Sequence, residues 1–217
     1  PQGNLSQYLP LNRLFFGDDI QFKGLTESDN RFAGILSIKS YADESASVIL
    51  NTLLHLNCEW ISTHSFSIEA KDVTMKKVKQ QGIKLSNVND AGVSQLMALN
   101  DLQEDIQTGL VNGGYHHHSL MILADDKPSL DLYINQAARC YLDVGFAIVR
   151  EELGQEAAYW AQFPGNHKYI ARSALITSQN FADFCPLHNY KIGYTDGNHL
   201  GSAVTLLETT SKTPYFF

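Results

Sequence analysis

The chain has 217 residues, 44% of them hydrophobic and 18% charged, and carries a formal net charge of −7. That length buries a sizeable core as one large domain, or one domain with an appendage, and the composition is that of an ordinary globular protein. The acidic balance excludes a surface built to grip a nucleic-acid backbone, no apolar run approaches the roughly 20 residues of a membrane-spanning helix, and the polar opening Pro1–Pro10 does not read as a signal peptide.

Taken in order, Leu5–Phe16 is broken by Pro10. Leu14–Phe16, followed by Gly17-Asp18-Asp19, predicts a short strand and turn, with Ile20–Lys23 as its partner and Gly24–Asn30 as a polar loop. Arg31–Tyr41 (RFAGILSIKSY) predicts a strand. Asp43 then offers a helix cap, and Ala46, Ile49, Leu50, Leu53 and Leu56 recur at helical spacing. Cys58–Glu69 alternates as a strand does, with Trp60, Ser62, His64, Phe66 and Ile68 on one face. Which face of a sheet Trp60 and Phe66 occupy is open at this stage.

Residues 70–114 are polar, proline-free and helix-prone, and predict a helical hairpin broken around Gly82–Asn89. Lys76, Lys77, Lys79 and Lys84 crowd its first half and read as a solvated helix face; one side of the hairpin is expected to face a partner or neighbouring subunit, or solvent. Tyr115–Ala124 predicts a strand. Asp125 or Asp126 caps the next helix, with Pro128 in the first turn and Leu130, Ile134, Ala137 and Tyr141 as its apolar stripe. Gly145 ends that helix, and Phe146–Glu152 predicts another strand.

Strand–helix–strand thus occurs twice, and a duplicated βαβ unit points to an α+β fold. The expected form is the ferredoxin-like, antiparallel four-stranded sheet with both helices on one face, a helical hairpin inserted at 70–114 and a helical connector after it. The expected divisions are residues 1–30 as N-terminal strands and loop, 31–153 as the duplicated module, 154–200 as the connector, and 201–217 as the first strands of a further domain. In the connector, Gln155–Phe163 and Thr177–Phe184 predict short helices. Pro164-Gly165-Asn166 stops the first of these. Tyr159, Trp160, Phe163, Tyr169, Phe181 and Phe184 would form one satellite core. Ala203–Phe217 predicts two short strands joined by a polar turn, expected to be poorly ordered or to borrow a partner from another molecule.

No phosphate loop, dinucleotide fingerprint, nucleophile elbow or zinc-protease motif occurs. The three cysteines, Cys58, Cys140 and Cys185, are odd in number and far apart. They point to neither a disulfide framework nor structural zinc, and Cys58 and Cys140 read as small core residues in a reducing compartment. His116-His117-His118 places His116 and His118 on one side of a strand and His117 on the other. Two imidazoles at that spacing hold a metal if a third ligand arrives. Nicking enzymes use such a pair beside a tyrosine, for which Tyr133 or Tyr141 would serve. Those enzymes want an apolar middle residue and a basic surface, so packed or hydrogen-bonded strand histidines are the favoured reading. His64, His167, His188 and His199 read as isolated capping or packing residues, and Glu151 and Glu152, being adjacent, face opposite sides and form no catalytic pair.

The segments YLPLNRLFFG, RFAGILSIKSY, GYHHHSL, VREELGQEAAYWAQFPGN and DGNHLGSAVTLLETTSKTPYFF together resemble the type IV secretion and conjugal-transfer ATPases, the CagE/TrbE/VirB component family. The resemblance implies an N-terminal docking and oligomerisation segment, at the cytoplasmic face of the bacterial inner membrane. The parent would be an ATP-hydrolysing phosphate-loop protein whose ATP and Mg site lies downstream, so that the fragment itself has no catalytic residue and no cofactor. Partners implied are inner-membrane secretion-channel proteins and other copies of the chain, with no direct nucleic-acid contact. Candidate interface residues are Tyr159, Trp160, Phe163, Pro164, Asn166, Asn198 and His199. A metal-dependent nicking domain using His116 and His118, and a ferredoxin-like ligand-binding regulatory domain, are the alternatives.

Overall fold

The computed structural model describes residues 12–87, 93–185, 192–197, 199, 201–210 and 213–217. The chain divides into two compact units, Pro1–Cys185 and Pro186–Phe217.

In the first unit the alternation seen in the sequence becomes β1 (Arg13–Phe16), β2 (Ile20–Lys23), β3 (Arg31–Ser40), β4 (Glu59–Ile68), β5 (Gly113–Ala124), β6 (Ala147–Arg150) and β7 (Ala174–Thr177). Among the described residues these seven form one antiparallel sheet, ordered β1-β2-β3-β5-β4. β6 follows β2 along one edge of β3, and β7 follows β3 along one edge of β5. β5 is therefore the central strand, and its burial on both faces is written in its near-continuous apolar second half, Leu120–Ala124.

Helix α3 (Lys127–Asp143) crosses from β5 to β6. Asp126 caps it by accepting from the Ser129 N–H, and Val144 and Gly145 close it, Gly145 in the left-handed region at φ +87°. All four stripe residues, Leu130, Ile134, Ala137 and Tyr141, are buried against Leu36, Ile38, Leu120 and Ile122. A Cβ added at Gly34 would stand 2.5 Å from Ile134 Cδ1, so the bare backbone of β3 is what lets α3 lie this close. Trp60 packs into this core, which places the Trp60–Phe66 face of β4 on the α3 side.

The connection from β3 to β4 corrects the expected helix over Ala46–Leu56. It is turn followed by a 3₁₀ segment, Asn51–His55. The physical reason lies far along the chain, in α5 (Ser178–Asp183), which Thr177 caps by accepting from the Asn180 N–H. Asp183 accepts from the Ser45 hydroxyl at 2.5 Å and its carbonyl from the Ile49 N–H at 3.3 Å, while the Asn180 amide donates to Ser45 Oγ. Val48 is driven to φ 60°, which no helix contains. The apolar residues still reach the core, since Leu50 and Leu53 are buried, but on a different backbone.

The inserted hairpin is α1 (Lys71–Asn87) and α2 (Val93–Thr108). α1 continues through Gly82, where a break was expected. On the other face of the sheet, α4 (Gln155–Ala161) lays Ala158 over Ile20, Ala33, Ile35, Met121 and Leu123. Asp19, buried in the β1–β2 turn, is bound by Arg150 at 2.5 Å and Lys127 at 3.4 Å, and Arg150 reaches Asp131 at 2.7 Å. That cluster ties the first hairpin to β6 and α3. The expected single aromatic satellite core is two clusters. Tyr159, Trp160 and Phe163 gather with Phe16 and Phe22, whereas Phe181 and Phe184 join Phe66 and His116 on the α3 side. A sheet separates α4 from α5, and sequence distance alone does not reveal that.

In the second unit, β8 (Leu206–Glu208) and β9 (Pro214–Phe216) pair with each other in antiparallel register. Thr209 and Thr213 bond across the turn that joins them. Among the described residues no helix is long and apolar enough to cross a membrane.

Candidate functional site

The three consecutive histidines sit on β5 where its pairing partner changes from β3 to β7. All three are buried, a costly place for imidazole unless its nitrogens find partners. Strand alternation turns His116 and His118 towards α3 and α5, and sends His117 to the opposite face. Across the ladder, His64 of β4 stands opposite His118, and its ring stacks on it at 4.3 Å between centroids.

A hydrogen-bonded chain follows. The Tyr41 hydroxyl meets His116 Nδ1 at 2.8 Å, His116 Nε2 meets His64 Nδ1 at 3.1 Å, and His64 Nε2 meets Ser62 Oγ at 3.0 Å. His118 Nδ1 faces the Thr63 carbonyl at 3.3 Å, which only accepts, so that nitrogen donates. Its Nε2 therefore accepts from the Tyr141 hydroxyl at 2.5 Å. Phe184 closes the cluster, 4.9 Å from the His116 ring. Burial is the largest cause of the shifted titrations. It pushes His64 down to about 4 and His116 to about 3, with neighbouring imidazoles adding to the effect, and holds His118 well below the ordinary histidine value. Burial likewise raises the Tyr41 and Tyr141 hydroxyls, keeping both as donors.

Chemically, these are uncharged imidazoles with every nitrogen of His64, His116 and His118 engaged by protein. Metal binding by His116 and His118 would have to break bonds to Tyr41, His64 and Tyr141. Among the described residues no cluster of three or more histidine, cysteine or carboxylate side chains is arranged to hold a metal ion. The sequence pattern located the pair on one face. It offered Tyr141, with Tyr133, as a tyrosine beside the pair, but missed His64, Tyr41 and Phe184 as its partners, because only strand pairing and the α5 return bring them there. The alternation that put His64 on the Trp60 face was the available signal.

On the opposite face, His117 Nδ1 donates to the Arg172 carbonyl at 2.9 Å, and Arg172 in turn binds the buried Glu151 carboxylate at 2.6 Å. Glu151 is thus held in an ion pair. A pocket of about 320 Å³ has Ser65, Ser67, Tyr115, His117, His167 and Ile170 in its lining. The Lys77 ammonium donates to the Tyr115 hydroxyl.

The interface candidates divide by location. Tyr159, Trp160 and Phe163 form one aromatic patch on and just after α4, with ring centroids 5.2 to 5.6 Å apart. Phe163 is 45% exposed. Asn166 stays with them by donating to the Trp160 carbonyl at 3.1 Å, and Pro164 is exposed beside it. His199 is exposed in the second unit. Asn198 and His188 lie outside the described residues. The three cysteines are free and half-buried.

The first unit is an α+β module with its strand histidines sealed in the sheet and an aromatic patch on and just after α4. The family described as "CagE, TrbE, VirB family, component of type IV transporter system" matches residues 1–172, and the chain belongs to it. It is 35% identical over 215 residues to the type IV secretion system protein virB4 of Bartonella quintana (strain Toulouse), covering 99% of this chain and 27% of that protein. It is 36% identical to the virB4 of Bartonella henselae (Houston 1), with the same coverage. Against the type IV secretion system protein PtlC homolog of Bordetella bronchiseptica the identity is 34%, covering 100% of this chain and 26% of the other. The chain spans about a quarter of the length of the curated relatives it matches.

Proposed function

We propose that the chain is the N-terminal docking and assembly segment of a type IV secretion ATPase. The carrying observation is the match to VirB4 and PtlC proteins along 99% to 100% of its residues. In this reading the parent hydrolyses ATP with Mg at a site outside these residues, and energises channel or pilus assembly and substrate transfer. The segment itself positions that motor at the cytoplasmic face of the inner membrane by binding channel proteins and other copies of the chain. The β3–β6 order, β6-β3-β5-β4 with α3 crossing one face, supports a split βαβ module whose first helix has become a 3₁₀ turn. Half-buried Tyr159 and Trp160 of α4, with exposed Phe163 just after it, are the proposed docking patch, since large aromatics on a rigid element are efficient contact residues.

The test is fractionation together with turnover. Expressed in cells that hold the secretion channel, the chain is expected in the inner-membrane fraction, and to leave it on Trp160→Ala/Phe163→Ala substitution. The purified chain is expected to show no ATP turnover, and a protein extended to the relatives' length to show it. ATP hydrolysis by the chain alone, or membrane recovery that is the same with and without the channel, would overturn the proposal.

A further inference from the structure

On the face of the sheet that carries α4, one buried polar atom has no partner. Alternate residues of β5 point that way: Met121 and Leu123 pack beneath α4, and His117 and Tyr115 follow further along the strand. His117 is 3% exposed, and its Nδ1 donates to the Arg172 carbonyl, so its Nε2 only accepts. No donor among the described residues reaches that Nε2. A buried acceptor left empty is costly, and one kept in a native fold points to an occupant. Burial, the largest influence on the ring, holds its pKa below the ordinary histidine value, so the ring is neutral near pH 7.

His117 is in the lining of the pocket of about 320 Å³. Strand pairing sets Ser65 opposite His117 and Ser67 opposite Tyr115, so these four share the sheet side of that pocket. His167 and Ile170 join its lining from the segment after α4, which Asn166 ties to the Trp160 carbonyl. Pocket and aromatic patch therefore lie on one face of the sheet and share one stretch of chain. Among the described residues the lining holds no carboxylate and no lysine or arginine.

We propose that this pocket receives a tryptophan side chain from a protein partner, its indole N–H donating to His117 Nε2. The chemistry narrows to that group. The free nitrogen accepts and does not donate, and an indole nitrogen donates and does not accept. A lysine or arginine would bring a charge that no lining carboxylate answers, and a carboxylate would set acceptor against acceptor. A hydroxyl would be served equally by the serines, which both donate and accept. Tryptophan adds a large apolar body to displace the pocket's water, and it is enriched among interface anchors. The inference rests on the docking reading above and names the chemistry of the partner that the α4 face takes.

The experiment uses the 217-residue chain with three probes: N-acetyl-tryptophanamide, its N-methylindole analogue, which lacks the donor, and N-acetyl-phenylalaninamide. Binding is followed by nuclear magnetic resonance of isotope-labelled histidine nitrogens. N-acetyl-tryptophanamide is expected to shift the His117 Nε2 signal saturably, and to bind on the order of tenfold more tightly than either other probe, since each of those lacks the hydrogen bond. His117→Asn keeps a side-chain N–H for the Arg172 carbonyl and removes the acceptor, and is expected to erase that preference. Ser67→Leu, at an exposed lining position, is expected to weaken all three probes. The probe series on the wild-type chain decides the matter even if a variant fails to fold. Equal binding of the three probes, no shift at His117, or unchanged binding in a folded Ser67→Leu chain overturns the inference and leaves the nitrogen to an ordered water. In the membrane-fractionation assay, saturating N-acetyl-tryptophanamide is expected to release the chain from channel-bearing membranes, and the methylated analogue to leave it bound. Probe binding without release makes the pocket a small-molecule site and overturns the partner's tryptophan, while docking through the patch stands. A chain that never fractionates with the channel overturns docking instead, and the probe series still decides the chemistry of the pocket.

Discussion

Acid sensitivity is the sharpest consequence of the buried histidine cluster. In the unfolded chain His64 and His116 titrate near the ordinary 6.5, whereas folded they titrate at about 4 and about 3. Between 6.5 and those lower values the unfolded chain binds protons that the folded chain refuses. Stability is therefore fully present above 6.5 and is lost as pH falls towards the folded values. Each histidine contributes a slope of about 1.4 kcal/mol per pH unit, so the pair loses about 4 kcal/mol over the one and a half units down to about pH 5. That is a large part of a domain's usual 5 to 15 kcal/mol. The assay is urea unfolding followed by circular dichroism at about pH 7 and about pH 5. It compares wild type with His64→Phe/His116→Phe, which keeps two stacked rings and removes both titrations. The difference between the two pH values should shrink by about 4 kcal/mol in the variant. An equal pH dependence in both proteins would refute the reasoning, because carboxylates elsewhere contribute alike to each.

Three further outcomes follow from single contacts. Tyr141→Phe removes the hydroxyl that donates to His118 Nε2, leaving a buried acceptor unpaired. Chemical unfolding should show a loss of about 1 to 3 kcal/mol. Arg150→Ala leaves buried Asp19 with Lys127 at 3.4 Å as its remaining cation, a loss of about 2 to 3 kcal/mol. Adding Asp19→Asn should recover part of that, and a double-mutant cycle with no coupling would show the pair to be idle. Gly114→Ala would set a Cβ 2.5 Å from Phe66 Cζ and 2.7 Å from the Ser67 carbonyl oxygen. The strand cannot move without losing its register, so thermal unfolding should report a cost of about 1 to 3 kcal/mol.

Local chemistry made much of this legible from residues alone. Alternation in Cys58–Glu69 put His64 and Trp60 on one face. Asp125 or Asp126, with Pro128 and Gly145, bracketed α3, whose four stripe residues are all buried. Thr177–Phe184 contained the short helix α5, and Ala203–Phe217 contained both strands of the last hairpin. These are signals that act over a few residues, where propensity, capping and periodicity decide the outcome. The family, too, was written in residues, since short motifs spread along the chain carry it without reference to shape.

Tertiary structure decided the rest. Ala46–Leu56 has helical spacing yet forms a 3₁₀ turn, because Asn180 and Asp183 take the bonding groups of Ser45 and Ile49 across more than a hundred residues. Gly82 did not break α1, since a glycine inside a long helix costs only about 1 kcal/mol. The aromatic residues of the connector parted onto two faces because a sheet runs between them. The histidine triplet shows the division most clearly. Strand geometry places His116 and His118 side by side whatever surrounds them. Whether such a pair is open to a metal or sealed as uncharged core depends on Tyr41, His64, Tyr141 and Phe184, and these arrive from β3's end, β4, α3 and α5. Long-range packing sets the dielectric and supplies the hydrogen-bond partners, and those two things determine what an imidazole does.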